Sequence, residues 1–223
     1  MILPLMTNQS IISIRANSIS SRVNLELSGG QVLILLADDI VKLRLSKATP
    51  VDDSLYKKII EATVTLLLRD YALRQVNLSP KNKHILLPKI KQQLKIIIKK
   101  YLLPKDIDYS SIIESLIKTL ENKKYLSDSD LANYLIRKHS KKSPMYIRQV
   151  LSNSGIDPLH YLSELPSSTN QIQEIKRQIN KKIKSTLDLD DRVSRQKIMA
   201  SIYRKGFSLT NINRAIDEIR HNG

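Results

Sequence analysis

Two hydrophobic periods divide the chain. Over the first fifty residues apolar and polar positions alternate: Ile12, Ile14 and Ala16 against Ser13, Arg15 and Asn17, then Val23, Leu25 and Leu27 against Asn24, Glu26 and Ser28. Gly29-Gly30 follows, then Gln31-Val-Leu-Ile-Leu-Leu36. Period two interrupted by Gly-Gly predicts a β-hairpin with a two-residue turn, and a strand over about 11–17 extends it to a three-stranded meander. Asp38-Asp39 is placed to cap a short helix reaching Leu43. Three strands bury too little to stand alone, so the sheet is expected to lean on the helix that follows.

From Asp52 the period becomes helical. Leu55, Ile59, Ala62, Leu66 and Leu67 mark a long helix towards Gln75. Asn77 to Pro88, with two prolines and little periodicity, reads as a linker with one helical turn. Leu87, Ile90, Leu94, Ile97, Ile98 and Tyr101 form the next stripe, stopped by Pro104. Ile112, Ile113, Leu116, Ile117 and Leu120 follow Asp108.

Later helices are shorter and carry clear start signals. Ser127 with Asp130 resembles a capping box ahead of Leu131, Ala132, Leu135 and Ile136. Ser143 caps the next helix with Pro144 at its first position, and Gly155 stops it. A brief helix spans Pro158 to Leu165. Ser167 to Thr169 starts a longer one with Ile172, Ile175, Ile179 and Ile183. Leu187 to Asp191 makes a break. Val193, Ile198, Met199 and Ile202 continue towards Gly206, and Ser208 caps the last helix. Nine helices in three groups of three, spaced 45 to 60 residues apart, suit helical repeats. The expected fold is mainly α: tandem three-helix repeats in an elongated, curved array behind a small N-terminal β-meander. The expected divisions are 1–50, 51–123, 124–166 and 167–223.

Composition narrows the chemistry. The 223 residues contain no cysteine, which excludes disulfides and thiolate metal sites. His84, His139, His160 and His221 lack metal-ligand spacing. Asp128 with Asp130, and Asp188 with Asp190 and Asp191, sit at expected helix starts, where capping backbone N–H groups outweighs holding a cation. No phosphate loop, Gly-x-Ser-x-Gly or His-Glu-x-x-His is present, so neither an enzyme nor a cofactor is expected. The start, Met-Ile-Leu-Pro-Leu-Met, lacks the pattern of a signal peptide, and the longest apolar run, Val32 to Ala37, is too short to span a bilayer. A soluble cytoplasmic monomer is the expectation.

Charge is the informative excess. Lys and Arg number 37 against 21 Asp and Glu, a net charge of +16. Such a surplus attracts polyanions. The chain is also rich in Ile, Lys and Asn, a usage that mutational bias alone produces, so clustering carries the argument. Tyr56 to Lys105 holds twelve basic residues against Glu61 and Asp70. Within it Lys89, Lys95, Lys99 and Lys100 are candidate contacts. Arg137, Lys138, Lys141, Lys142 and Arg148 surround one helix joint with Tyr146, which either stacks on a base or packs inward. Arg204 and Lys205 precede Gly206.

Three motifs carry a family resemblance. Tyr125-Leu-Ser-Asp-x-Asp-Leu-Ala-x-Tyr-Leu135 resembles the start of the second repeat of the RecX family, the regulators that dock on filaments of the recombinase RecA. Ser143-Pro-Met-Tyr-Ile-Arg-Gln-Val-Leu and Ser-Asn-Ser-Gly-Ile156 resemble the segments that follow, with Ser143 where glycine is usual. Ile202-Tyr-Arg-Lys-Gly-Phe-Ser-Leu resembles the C-terminal Arg-Arg-Gly-Phe-Ser segment. The resemblance implies a non-enzymatic regulator that binds the RecA–single-stranded DNA filament, bridges recombinase subunits and inhibits recombinase activity, with effects on DNA repair and the SOS response. A free-standing nucleic-acid binder and a helical scaffold for an acidic protein are the alternatives.

Overall fold

The computed structural model describes residues 9–16, 21–183 and 189–221. Asn17, Leu187 and Asp188, named above in a strand end, a break and an acidic cluster, lie outside the described residues. The chain is mainly helical with a small N-terminal sheet, and it divides into two compact units, residues 1–127 and 128–223.

The first unit begins with β1 (Gln9–Ala16), β2 (Arg22–Leu27) and β3 (Val32–Leu36). All pairings are antiparallel, and the order is β3-β2-β1-β4, where β4 is Pro50–Val51. Period two places Leu25, Leu27, Leu33 and Leu35 on the buried face. The short β4 has no alternation of its own; it forms because Gln9 and Ser10 of β1 offer an edge to Val51 and Pro50. The hairpin differs from expectation. The Leu27 N–H donates to the Gln31 carbonyl at 2.9 Å, so Ser28, Gly29 and Gly30 form a three-residue loop. Only Gly30 takes a left-handed conformation (φ 77°), whereas a two-residue type I′ turn requires positive φ at both central positions.

Helix α1 (Ala37–Lys42) holds both aspartates inside its first turn rather than ahead of it, and the Asp39 carboxylate accepts the Leu36 N–H at 3.2 Å. Helix α2 (Asp53–Leu78) is capped by Asp52, which accepts the Leu55 N–H at 2.7 Å. Its apolar residues spread around much of its circumference because it packs on β3 and β4 as well as on two helices, α3 (Lys83–Lys100) and α4 (Tyr109–Asn122). Ile59, Ile60, Val64 and Leu68 are fully buried against Leu25 and Leu35 of the sheet and Leu86 and Ile90 of α3, in one continuous core. Arg22 of β2 pairs with Asp70 of α2 at 2.6 Å, and Tyr56 donates to the Gln31 side chain at 2.8 Å.

The expected linker over 77–88 is mostly helix. Asn77 and Leu78 finish α2, and α3 starts at Lys83 with Pro88 inside it. Asn82 accepts the Ile85 N–H at 3.0 Å, which launches the helix early. The missing N–H of Pro88 is tolerated because Leu86, Ile90 and Leu94 are buried on either side of it.

The second unit holds α5 (Asp128–Lys138), α6 (Pro144–Asn153), a 3₁₀ segment (Pro158–Glu164), α7 (Ser168–Ile183), α8 (Arg192–Tyr203) and α9 (Leu209–His221). Gly155, at φ 74°, ends α6 as expected. Asp191 caps α8 through Val193 and Ser194, and Ser208 caps α9 through Asn211. Ile175, Ile179, Ile198, Ile202, Phe207, Ile212 and Ile216 form the core of the last three helices.

Because one core joins sheet and helices, the strands are not an independent module. Ile59→Ala is expected to cost about 2–5 kcal/mol. Native-state hydrogen exchange checks it: β2, β3 and α2 lose protection together, and a sheet that keeps its protection while α2 loosens would contradict the shared core.

A cationic joint between helix turns

The second unit brings two basic sequence clusters onto one place. The α5–α6 turn is drawn against the α8–α9 turn by a backbone bond, Ser143 N–H to the Lys205 carbonyl at 3.1 Å. Ser143 is itself buried, and its hydroxyl accepts the Tyr146 N–H at 3.1 Å, capping α6. Gly206 makes the approach possible. A Cβ there would stand 2.6 Å from Ser143 Oγ and 3.0 Å from Tyr146 Cβ, and its φ of 86° strains any other L residue.

Helix α7 closes the third side through Gln178, which is buried on the core-facing flank of that helix. Its Nε2 donates to the Lys141 carbonyl at 2.9 Å and to Glu174 at 2.7 Å, and its Oε1 accepts from Lys205 Nζ. Glu174 also takes two bonds from Arg177, each 2.8 Å. Hydrogen bonding from Arg177 holds the Glu174 carboxyl below its usual range, with Gln178 and Lys141 adding to it. Burial lowers the Lys205 ammonium, as do the charges of Lys142, Lys182 and Arg177, against the opposing effect of Glu174. One carboxylate thus faces several cations.

The aromatic residues divide. Tyr146 is half-buried and engaged by its own chain: Lys142 Nζ lies 4.8 Å above its ring and the His139 ring is 5.4 Å away. Lys138 Nζ stands over Tyr134 at 5.3 Å. Arg137, Lys138, Lys141, Arg148 and Arg204 are exposed, whereas Lys142 and Lys205 are half-buried.

Lys89, Lys95, Lys99 and Lys100 belong to the first unit. Lys95 and Lys99 are exposed, one turn apart on α3, and Lys100 lies 5.3 Å over Tyr101; Lys89 is half-buried. Sequence reasoning brought out neither Gln178, Glu174 and Lys182 nor the exposed Tyr203. A glutamine beside the Ile175–Ile179 stripe was the available signal for the first of these. Among the described residues no group of His, Cys, Asp or Glu is arranged to hold a metal, and no helix is long and apolar enough to cross a membrane.

Fold and site together define a mainly helical protein with a small sheet and a cationic joint between two helix turns. Residues 170–216 match the family model for the third three-helix domain of RecX. The regulatory protein RecX of Bacillus pumilus (strain SAFR-032) is 30% identical over 124 residues, 53% of this chain and 46% of that protein. That of Bacillus subtilis (strain 168) is 29% identical over 115 residues, 49% of this chain and 44% of the relative. A crystal structure of regulatory protein RecX has a like fold, with a TM-score of 0.53 at 21% identity over 94% of this chain and 99% of that one. The chain is similar to RecX regulatory proteins over part of its length, and it spans about half the length of the curated relatives it matches.

Two outcomes follow for the joint. Gly206→Ala is expected to cost about 1–3 kcal/mol from its left-handed backbone alone, plus the clash. In a Ser143→Gly background the clash term shrinks while the backbone term stays, so a thermal-melting double-mutant cycle gives a smaller cost for the same change. Equal costs in both backgrounds would exclude the contact.

The His139 imidazole is pushed below its ordinary 6.5 by burial, helped by Lys138 and Lys142. A base with a depressed folded value binds fewer protons folded than unfolded, so stability rises with pH through that range. His139 therefore contributes nothing unfavourable above about 6.5 and destabilises progressively as pH falls below it. Urea midpoints measured between pH 7.5 and 5 should drop less for His139→Gln than for the parent chain; parallel curves would refute this.

Proposed function

We propose that this chain regulates a RecA recombinase by binding the RecA–single-stranded DNA filament, lowering its ATP hydrolysis and strand exchange. Likeness to RecX carries the reading, because residues 170–216 match the model for its third three-helix domain and the matched relatives are regulatory proteins of that name. The cationic joint is compatible with it. Arg137, Lys138, Lys141, Lys142, Arg204 and Lys205 lie on two turns bonded to each other, with Glu174 held against them through Gln178. Such a surface suits an anionic polymer or the acidic face of a protein assembled on one. Arg148 and the α3 residues Lys89, Lys95, Lys99 and Lys100 are further candidate contacts. We read the three helix groups as repeats that act together, without catalysis or a cofactor.

Binding of free nucleic acid without a recombinase is the second reading, and the exposed cations of both units favour it. Co-sedimentation with RecA filaments, beside a coupled ATPase assay at equimolar ratio, tests the choice. The chain should pellet with the filament and lower DNA-dependent ATP hydrolysis. An unchanged ATPase with no pelleting would overturn the proposal. Equal affinity for DNA with and without RecA would favour the second reading.

A further inference from the structure

The α8–α9 turn carries an aromatic side chain that the fold does not use. Tyr203, the last residue of α8, is 57% exposed. Among the described residues its side chain makes no hydrogen bond and no ring contact, although its carbonyl accepts the Gly206 N–H at 2.8 Å. Tyr146, on the facing turn, differs in both respects: it is half-buried and flanked by Lys142 and His139. Its packing leaves Tyr203 as the exposed ring on the α8–α9 turn. The next two residues are Arg204, exposed, and Lys205, whose carbonyl is bonded to Ser143 next to Lys142.

A large exposed ring followed directly by cations has a definite complement. Cations alone attract any polyanion. Among nucleic acids, an open aromatic face adds stacking where base faces are free, which means an unpaired base. Duplex DNA hides its base faces, and an acidic protein surface offers carboxylates without them.

We propose that Tyr203 stacks on a base of single-stranded nucleic acid while Arg204 and Lys205, with Lys142 from the facing turn, take its neighbouring phosphates. This deepens the filament reading and rests on it, since it makes the DNA strand a direct contact of this turn. Gln178 holds Lys205 Nζ and the Lys141 carbonyl together at this joint.

Fluorescence anisotropy of the full chain with a labelled oligothymidine, and with a duplex of equal length, tests it in the absence of RecA. Tyr203→Ala should weaken single-strand binding by about fivefold or more, the range of one lost base stack. Tyr203→Phe keeps the ring and should bind like the parent. Duplex affinity should be the same in all three. The salt dependence of Tyr203→Ala should be unchanged, whereas Arg204→Gln and Lys205→Gln should each flatten the log–log salt slope by about 0.7.

Three results would overturn the assignment: undiminished single-strand binding by Tyr203→Ala, equal losses on single strand and duplex, or no binding of oligothymidine by the parent chain. Loss of RecA inhibition with unaltered oligothymidine binding in Arg204→Gln would assign the cations to an acidic protein face instead. Because RecA is absent from the anisotropy assay, a parent chain inert towards RecA's ATPase would sink the filament reading while leaving the tyrosine result standing.

Discussion

The joint exists because residue 206 has no side chain. Two helix turns, 139–143 and 204–208, meet where the Gly206 α-carbon lies against the Ser143 hydroxyl and the Tyr146 Cβ. A methyl group at that point would push the turns apart and lengthen the Ser143–Lys205 backbone bond. Phe207 next in sequence is buried among Ile175, Ile198 and Ile216, so the turn is pinned on its other side as well. Separation would cost core packing, and glycine allows closure without strain or clash.

That closure brings like charges together, which is unfavourable by itself. Lys205 feels Lys142, Lys182 and Arg177 while it loses water to burial. The chain offsets this with dipoles more than with acids. Gln178 turns its oxygen to the Lys205 ammonium and its amide to the Lys141 carbonyl, and Glu174 is already occupied by the two-bond pair with Arg177. A neutral bridging amide holds geometry without cancelling charge. A carboxylate at 178 would lose the amide donor to the Lys141 carbonyl and set a second negative charge against Glu174.

Much of the fold was legible because period and caps agree. Asp52, Asp108, Ser143, Asp191 and Ser208 each accept backbone N–H groups where a start was expected, or one residue from it. The failures have physical causes. Pro88 signals a break, yet Asn82 had already opened α3, and burial on both sides of the proline outweighed the lost bond. Strand β4 has two residues and no pattern of its own; it exists only because β1 presents an edge. The three basic segments were legible as charge. That residues 204–205 would meet residues 141–143 was not, because a contact between turns some 60 residues apart leaves no periodic trace. Gln178 was hidden for the same reason: its partners are a backbone carbonyl and a lysine on other elements.

The two groups of candidate cations differ in how much freedom they would lose on binding. Lys95 and Lys99 stand exposed on α3, with no hydrogen bond among the described residues, as solvated helix faces usually do. Ordering each would cost about 0.5–1.5 kcal/mol of side-chain entropy, comparable with what one exposed ion pair returns. At the joint, Lys142 already rests over the Tyr146 ring and Lys205 is already bonded to Gln178, so part of that cost falls on folding rather than on binding. Equal charges thus count for more at the joint than on the helix. A polyanion at the joint would meet cations placed in advance, whereas one on α3 would have to order each lysine for itself.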